Sequence, residues 1–217
     1  MTRDNGRPTP RQPRAVATRR ALLRAGGAQF AATGYHRASL GEIVERAGVT
    51  KGALYFHFTG KQALADAVIA EMVGIWDRLL AQVETLGLDP LATLVAGTEQ
   101  AAALMQDDPV VAGGARLVND PLVASSWAEE HYRWAETAVR TQLAAAAAAG
   151  LLRPAVDLTV LSRSVVTLVA GHNLICERTD TLDRLAEHIG DMWQAMLPLI
   201  ATDAWMNAWR DSDHRPA

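Results

Sequence analysis

The sequence predicts an all-α protein, and three observations support this fold class. Nearly half of its 217 residues (49%) are apolar, yet Phe, Tyr and Trp make up only 6%, so Ala, Leu and Val dominate, and the first two are good helix formers. Apolar residues recur at helical spacing along most of the chain. Prolines fall between these apolar stripes, where a proline can open a helix or stop its extension; they are Pro90, Pro109, Pro121 and Pro154.

Charge is distributed unevenly along the chain. Residues 1–60 hold ten Lys and Arg against three Asp and Glu, a net charge of +7, whereas the rest holds eleven against 21, a net charge of −10. A basic head on an acidic body indicates that only the head meets a polyanion. The chain has one cysteine, no apolar signal core and no uncharged apolar run of bilayer length. We therefore expect a cytoplasmic protein without membrane contact.

The basic head begins with an arm and one helix. Residues 1–13 contain three prolines, three arginines and almost nothing apolar, so the sequence predicts a disordered basic arm. From Arg14 to about Ala32, apolar or small residues share one helical face. Gly34 follows as a C-terminal stop, which completes the first predicted helix.

Two short helices follow, joined by a turn. Ser39 is placed to cap the first of them, with Glu42 three residues later as in a capping box. Gly48 ends that helix, and Thr50 can cap the next one, which runs to about Phe56. Two short helices joined by a three- or four-residue turn that contains Gly form a helix-turn-helix.

Longer helices are predicted after Gly60. The first has an apolar stripe and ends between Gly87 and Pro90. Two Trp in the last fifteen residues are followed by polar residues, so we expect the chain to end in a tail. Five further helices are expected between these points, at about residues 91–106, 109–119, 121–149, 157–178 and 181–201.

The helix-turn-helix has the residue types that a DNA contact requires. Ser39 and Thr50 lie at helix N-termini, where free backbone N–H groups and the helix dipole favour phosphate oxygens, although Ser39 can be a cap alone. Lys51 adds a mobile positive charge beside them. Gly52 and Ala53 are small enough to let the helix backbone approach the floor of a groove, and a methyl group there can meet a thymine methyl.

Four aromatic residues end this segment. Tyr55 and His57 are suited to hydrogen bonds with phosphate groups, so we expect them on the DNA side. Phe56 and Phe58 are expected to pack against the protein and to hold the helix-turn-helix in place.

A family resemblance follows from these residues. The stretch S-L-G-E-I-V-E-R-A-G-V-T-K-G-A-L-Y-F-H-F, residues 39–58, with Lys61 after it, resembles the DNA-binding motif of the TetR family of bacterial repressors. The resemblance implies a three-helix DNA-binding head that includes Lys61, a larger helical regulatory body, and a homodimer formed by the last two long helices on double-stranded operator DNA. The domains implied are 14–75 for DNA binding (motif 39–58), 76–205 for ligand binding and dimerisation, and 206–217 as a tail.

Within that family, the variant K-G-A-L-Y-F-H-F resembles the γ-butyrolactone receptors of actinomycetes. The run Gly114-Ala115-Arg116-Leu117 and the spacing of Trp134 before Asp157 are similar to features of the same receptors. This resemblance implies a small lactone-type effector. A pocket for such a molecule needs an aromatic wall and a hydrogen-bonding group. Trp134 is the candidate for the wall, and Thr167 or Gln100 is the candidate for the hydrogen bond.

The expected function is therefore a repressor that binds a pseudo-palindromic operator and is released by a γ-butyrolactone-like signal, controlling secondary metabolism or antibiotic production. The helix after Gly60 is the expected lever between head and body. A repressor of the same fold that senses an unrelated hydrophobic drug or metabolite, or no ligand at all, stays open.

An enzyme is not expected. The sequence contains no phosphate-binding loop, no Gly-x-Ser-x-Gly and no His-Glu-x-x-His. His172 and Cys176 lie four residues apart on one predicted helix, but two ligands are too few for a metal site. We expect neither a metal nor a cofactor.

Overall fold

The computed structural model describes residues 11–123 and 125–211, and side chains at 13–123 and 126–211. The described residues form ten α-helices and one 3₁₀ turn, which agrees with the predicted all-α class. The helices are α1 (Arg11–Arg37), α2 (Leu40–Arg46), α3 (Lys51–His57), α4 (Lys61–Glu84), α5 (Pro90–Asp107), α6 (Pro109–Val118), α7 (Ser125–Ala148), α8 (Leu158–Thr179), α9 (Leu185–Ile200) and α10 (Asp203–Arg210), with the 3₁₀ turn at Leu182–Arg184.

Helix α1 is longer than the sequence predicts. It begins at Arg11, so the last three residues of the expected arm are helical, while residues 1–10 lie outside the described part of the chain. Pro13 is tolerated there because the first N–H groups of a helix have no intrahelical partner to lose. The predicted stop at Gly34 is confirmed, since its backbone leaves the helical region (φ 73°, ψ 171°) before a last turn to Arg37.

The predicted caps of the two short helices are confirmed. The Ser39 hydroxyl accepts from the backbone N–H of Gly41 at 3.2 Å, and the Thr50 hydroxyl accepts from that of Ala53 at 3.1 Å. Between the helices, Gly48 adopts a left-handed backbone (φ 64°), which glycine reaches without steric cost. These local features fix the start of α2 and α3 before any tertiary contact is considered.

The described chain separates into two compact units. The first comprises the chain up to Met72 together with Asp108–Ser125, and the second comprises Val73–Asp107 and the chain from Ser126 onward. The boundary falls inside α4, and α6 belongs to the first unit. The division expected from the sequence placed residues 109–119 in the second domain, and local sequence contains no signal for this long-range assignment.

In the first unit, α1 and α6 approach until their backbones touch. A Cβ on Gly113 would lie 2.3 Å from the carbonyl oxygen of Gly27, and a Cβ on Gly27 would lie 2.3 Å from that of Pro109. Only glycine on both helices permits such an approach. The buried side chains of these two helices include Leu22, Phe30, Val111 and Leu117.

The second unit has its own core, built by α5 and α7–α10. Trp193 is fully buried and donates its indole N–H to the Thr98 hydroxyl at 2.7 Å. Trp205 donates to the Asp89 carboxylate at 3.0 Å. Both large aromatic residues therefore have satisfied hydrogen bonds inside an otherwise apolar core.

The end of the chain differs from the expected tail at 206–217. Residues up to Arg210 form α10, whose N-terminus is capped by the Thr202 hydroxyl, and residues 212–217 lie outside the described part. Trp205 is buried and stacks on Trp209 at a centroid distance of 5.0 Å. The two aromatic side chains give this short helix enough apolar surface to dock on the core.

Gly113→Ala should destabilise the protein because the new methyl group would meet backbone atoms, which cannot move aside as a side chain can. We expect a loss of about 1–3 kcal/mol, with a fall in Tm of about 2–4 °C for each kcal/mol in circular-dichroism melts. Gly97→Ala on α5, where nothing lies within 4 Å, is the matched control and should stabilise by about 0.5–1 kcal/mol. A wild-type Tm for Gly113→Ala would contradict the described α1–α6 contact.

Candidate nucleic-acid interface and candidate effector site

Helix α3 has one buried face and one exposed face. Leu54 and Phe58 point into the first unit, with 1% and 5% of their surface exposed. Ala53 and His57 are half-buried at the border between the two faces. The exposed face and its cap consist of Thr50, Lys51, Gly52, Tyr55 and Phe56. The structure therefore brings together on one surface most of the residues that the sequence predicts for DNA contact.

Phe56 does not pack against the protein, so that part of the prediction is wrong. Its side chain is 79% exposed and lies edge-on to the His57 ring at a centroid distance of 5.0 Å. Two residues along a helix turn through about 200°, so Phe56 and Phe58 cannot share a face. The helical period of the sequence therefore already indicated that Phe56 points outward. We add Phe56 to the candidate interface.

Helix α1 braces the helix-turn-helix. The Arg19 guanidinium lies 5.7 Å from the centroid of the Phe58 ring, a cation–π contact at the end of α3. Glu42 accepts from the buried Gln29 amide at 2.7 Å, so it ties α2 to α1 instead of completing the expected capping box.

The first unit has several exposed basic side chains. Those that the structure places at the surface of the first unit are Arg14, Arg19, Arg20, Arg24, Arg37, Arg46 and Lys51. Their exposure is compatible with contact to phosphate groups, as the charge asymmetry of the sequence indicates. The Arg24 guanidinium also lies 3.6 Å from the Asp108 carboxylate.

Lys61 has a structural role that the sequence did not reveal. Its ammonium group donates to the carbonyl oxygens of His36 and Ala38 at 3.0 and 3.2 Å, and lies 4.8 Å from the centroid of the Tyr35 ring. Lys61 thus provides hydrogen bonds to backbone carbonyl groups at the end of α1. A phosphate contact by Lys61 stays a prediction, as do the individual contacts of Ser39, which is exposed beside its cap bond.

The run Gly114-Ala115-Arg116-Leu117 lies on α6 and packs inside the first unit. A Cβ on Gly114 would lie 2.7 Å from the Met72 sulfur, and Leu117 is fully buried. The Arg116 guanidinium donates to the carbonyl oxygen of Ala31. These contacts give each residue of the run a packing role within this unit.

The residues predicted for effector binding lie in the second unit, on three helices. Trp134 on α7 is half-buried and stacks on His131 at a centroid distance of 6.3 Å and an interplanar angle of 19°. Gln100 on α5 is also half-buried. Thr167 on α8 is exposed, which differs from the partly enclosed position expected of a pocket residue.

Three side-chain polar atoms in the second unit are shielded from solvent and have no hydrogen-bond partner among the described residues. They are Nε1 of Trp76, Oε1 of Glu99 and Nδ1 of His131. Burial raises the pKa of the Glu99 carboxyl and lowers the pKa of the His131 imidazole, because it penalises the charged form of each. Sequence reasoning missed all three, since spacing alone does not show which polar atoms are left unpaired.

His172 and Cys176 meet a third residue, His188. The buried Cys176 sulfur lies 3.3 Å from Nδ1 of His188, and the rings of His172 and His188 are 5.8 Å apart. Burial, and then the neighbouring His188, lower the pKa of His172. Within residues 11–123 and 125–211, no group of three or more His, Cys, Asp or Glu side chains is arranged to hold a metal ion.

A capped helix-turn-helix with an exposed, partly basic recognition helix, in a chain that also contains a second helical unit, defines a helix-turn-helix DNA-binding protein. Residues 22–68 match the model of the bacterial regulatory proteins of the tetR family, and residues 88–201 match that of the tetracyclin repressor-like C-terminal domain. The chain belongs to the TetR family.

Individual proteins similar to this chain include one sequence relative and two solved structures. The A-factor receptor protein of Streptomyces griseus is 32% identical over 194 residues, which cover 88% of this chain and 66%, just under two thirds, of that protein. A crystal structure of a gamma-butyrolactone receptor (ArpA-like protein) superposes with a TM-score of 0.74 at 25% identity, covering 91% of this chain and 94% of the other. CprB from Streptomyces coelicolor, in complex with its operator sequence, gives 0.75 at 27% identity, covering 88% and 92%.

Phe56→Ala and Phe58→Ala form a matched pair that separates interface from scaffold. Phe56→Ala should leave stability within about 0.5 kcal/mol of wild type. It should weaken binding to an operator selected from random-sequence DNA about fivefold, equivalent to about 1 kcal/mol of lost apolar contact.

Phe58→Ala should instead cost about 3–5 kcal/mol of stability, because the side chain is buried. Chemical denaturation and fluorescence anisotropy measure the two quantities. A destabilised Phe56→Ala, or unchanged operator affinity in that variant, would contradict the outward placement of this side chain at the interface.

Proposed function

We propose that the protein is a dimeric transcriptional repressor whose DNA binding is controlled by a small effector. The observation that carries the proposal is the exposed face of α3, which presents Lys51, Tyr55 and Phe56 after an N-terminus capped by Thr50. A recognition helix of this kind enters the major groove with its N-terminal residues towards base edges.

Phosphate contacts would position α3, and base contacts would specify the sequence. The N-termini of α2 and α3 offer backbone N–H groups to phosphate oxygens, and Lys51 adds a charge-assisted bond. Gly52 and Ala53 leave the helix backbone free to approach the base edges, with Phe56 available for apolar contact to a thymine methyl. Tyr55 and His57 would complete the contacts to the DNA backbone.

Dimerisation through α8 explains the exposed apolar surface of that helix. Val160, Leu168, Leu174 and Ile175 are exposed, and together with Thr167 they recur at helical spacing on one stripe. Among the described helices, α8 is the one long and apolar enough to cross a membrane by length and composition alone. In a DNA-binding regulator, a second copy of the chain is the occupant that fits, and Thr167 then lies at the dimer contact.

Two such heads would occupy successive major grooves of a pseudo-palindrome, about 34–36 Å apart. Helix α4 is continuous across the boundary between the units. A change at the effector site can therefore alter the spacing of the two DNA-binding heads through α4. The effector shifts the equilibrium by no more than its difference in affinity for the two states.

A γ-butyrolactone-like molecule is the effector class that the similarities to the A-factor receptor protein and the ArpA-like receptor support, with Trp134 as its aromatic wall. Control of secondary metabolism or antibiotic production follows from the same similarity. A cationic drug is the second candidate, and the specific observation in its favour is the shielded, unpaired carboxylate oxygen of Glu99.

The repressor proposal predicts a salt-dependent, effector-sensitive complex. Lys51→Ala should weaken binding to the selected operator and reduce the slope of log affinity against log salt by about 1. Arg140→Ala, an exposed change on α7, is the control and should alter neither. Gel shifts with a γ-butyrolactone present should show operator release of tenfold or more, and affinity unchanged by saturating lactone would rule out this effector class.

The dimer proposal predicts that charge on the α8 stripe separates the subunits. Leu174→Glu with Ile175→Glu should convert a dimer to a monomer at micromolar concentration, because two carboxylates would be buried without partners. Leu122→Glu, at an exposed apolar residue of the first unit, is the matched control and should leave the dimer intact. Sedimentation equilibrium measures both, and a dimeric double variant would exclude α8 as the interface.

A further inference from the structure

Some buried polar groups of the second unit have hydrogen-bond partners, and others do not. The indole N–H groups of Trp193 and Trp205 each reach an oxygen, at 2.7 and 3.0 Å. The indole N–H of Trp76, whose side chain is 4% exposed, reaches none. An unpaired buried donor carries a desolvation cost that folding does not recover, so it calls for an explanation.

Two more unpaired atoms accompany it. Oε1 of Glu99 on α5 and Nδ1 of His131 on α7 are equally shielded. Glu99 follows Thr98, whose hydroxyl binds Trp193, and precedes Gln100, an effector candidate. His131 stacks on Trp134, the proposed aromatic wall. Glu99 is therefore next to Gln100 in the sequence, and the His131 ring contacts that of Trp134, two residues to which an effector role was assigned on independent grounds.

The chemistry of the three atoms is complementary. The indole of Trp76 only donates, the carboxylate of Glu99 accepts, and a neutral imidazole can do either through Nδ1. Burial lowers the pKa of the His131 imidazole, which favours its neutral form. A ligand that satisfies the set must carry both an acceptor and a donor.

Resting on the effector site of the proposed function, we propose that Trp76, Glu99 and His131 are its hydrogen-bonding partners, and that the effector is an uncharged, largely apolar molecule with a carbonyl acceptor and a hydroxyl donor. The carbonyl accepts from the indole of Trp76, and the hydroxyl donates to Glu99. A molecule whose only polar group is an ammonium would pair with Glu99 but has no acceptor for Trp76, so it satisfies the set less well.

Three matched probes test the assignment by isothermal titration calorimetry. They are an alkyl γ-butyrolactone with one hydroxyl group, its methyl ether, and the analogue with an ammonium group in place of the hydroxyl. Wild-type protein should bind the hydroxyl compound at least tenfold more tightly than the ether, because the ether leaves Glu99 unpaired.

In Glu99→Leu, this preference should fall to about twofold or less. Trp76→Phe should weaken both compounds about equally, by about three- to tenfold. Glu84→Gln, on the exposed part of α4, is the control and should bind as wild type does. The assignment would be overturned if Glu99→Leu still preferred the hydroxyl compound to the ether. It would also be overturned if the ammonium compound bound most tightly to the wild type and this binding disappeared in Glu99→Gln.

A second readout needs no lactone. Glu99→Leu and Trp76→Phe remove unpaired polar atoms, so the free protein should melt about 2–4 °C higher in each case. Trp193→Phe removes a satisfied bond and should melt lower. Melting temperatures at or below wild type for both variants would overturn the inference. Stabilised variants without lactone binding would instead reject the lactone effector and leave the three polar partners in place.

Discussion

The backbone contact between α1 and α6 is the constraint on which the arrangement of the first unit depends. With glycine at 27 and 113, the two helices meet without intervening side chains. Groups of α6 and of the residues just after it then reach the last turns of α1. Arg116 donates to Ala31, and Asp120 accepts from the backbone N–H of Tyr35 at 3.1 Å. The end of α1 is where the chain turns into the helix-turn-helix, so its position is set by a helix that lies more than seventy residues further along.

From that base, a few contacts hold the recognition helix. Lys61 binds the last carbonyl groups of α1, Gln29 binds Glu42 of α2, and Arg19 lies over Phe58 at the end of α3. Each contact uses the protein-facing side of the motif. Tyr55 and Phe56 are left on the other side, which divides the motif between attachment and recognition.

The second unit shows a different use of polar groups. Its core aromatics Trp193 and Trp205 are paired with Thr98 and Asp89, so an unpaired Trp76 is not explained by a shortage of partners in this unit. Natural proteins retain such costs mainly at functional sites. The exposed apolar stripe of α8 likewise indicates a missing partner, because monomeric proteins rarely leave a contiguous apolar surface uncovered.

The all-α class, the capped helix-turn-helix and the separation of a basic head from an acidic body could all be predicted from the sequence. Those features depend on residues within a few positions of one another, such as Ser39 with Gly41 or Thr50 with Ala53, and local geometry decides them. Helical periodicity also contained the outward direction of Phe56, although the aromatic character of the segment suggested packing. Only the tertiary structure assigned α6 to the first unit, engaged Lys61 with α1, exposed Thr167 and left Oε1 of Glu99 unpaired. Each outcome depends on which distant groups meet, and neither spacing nor composition encodes that.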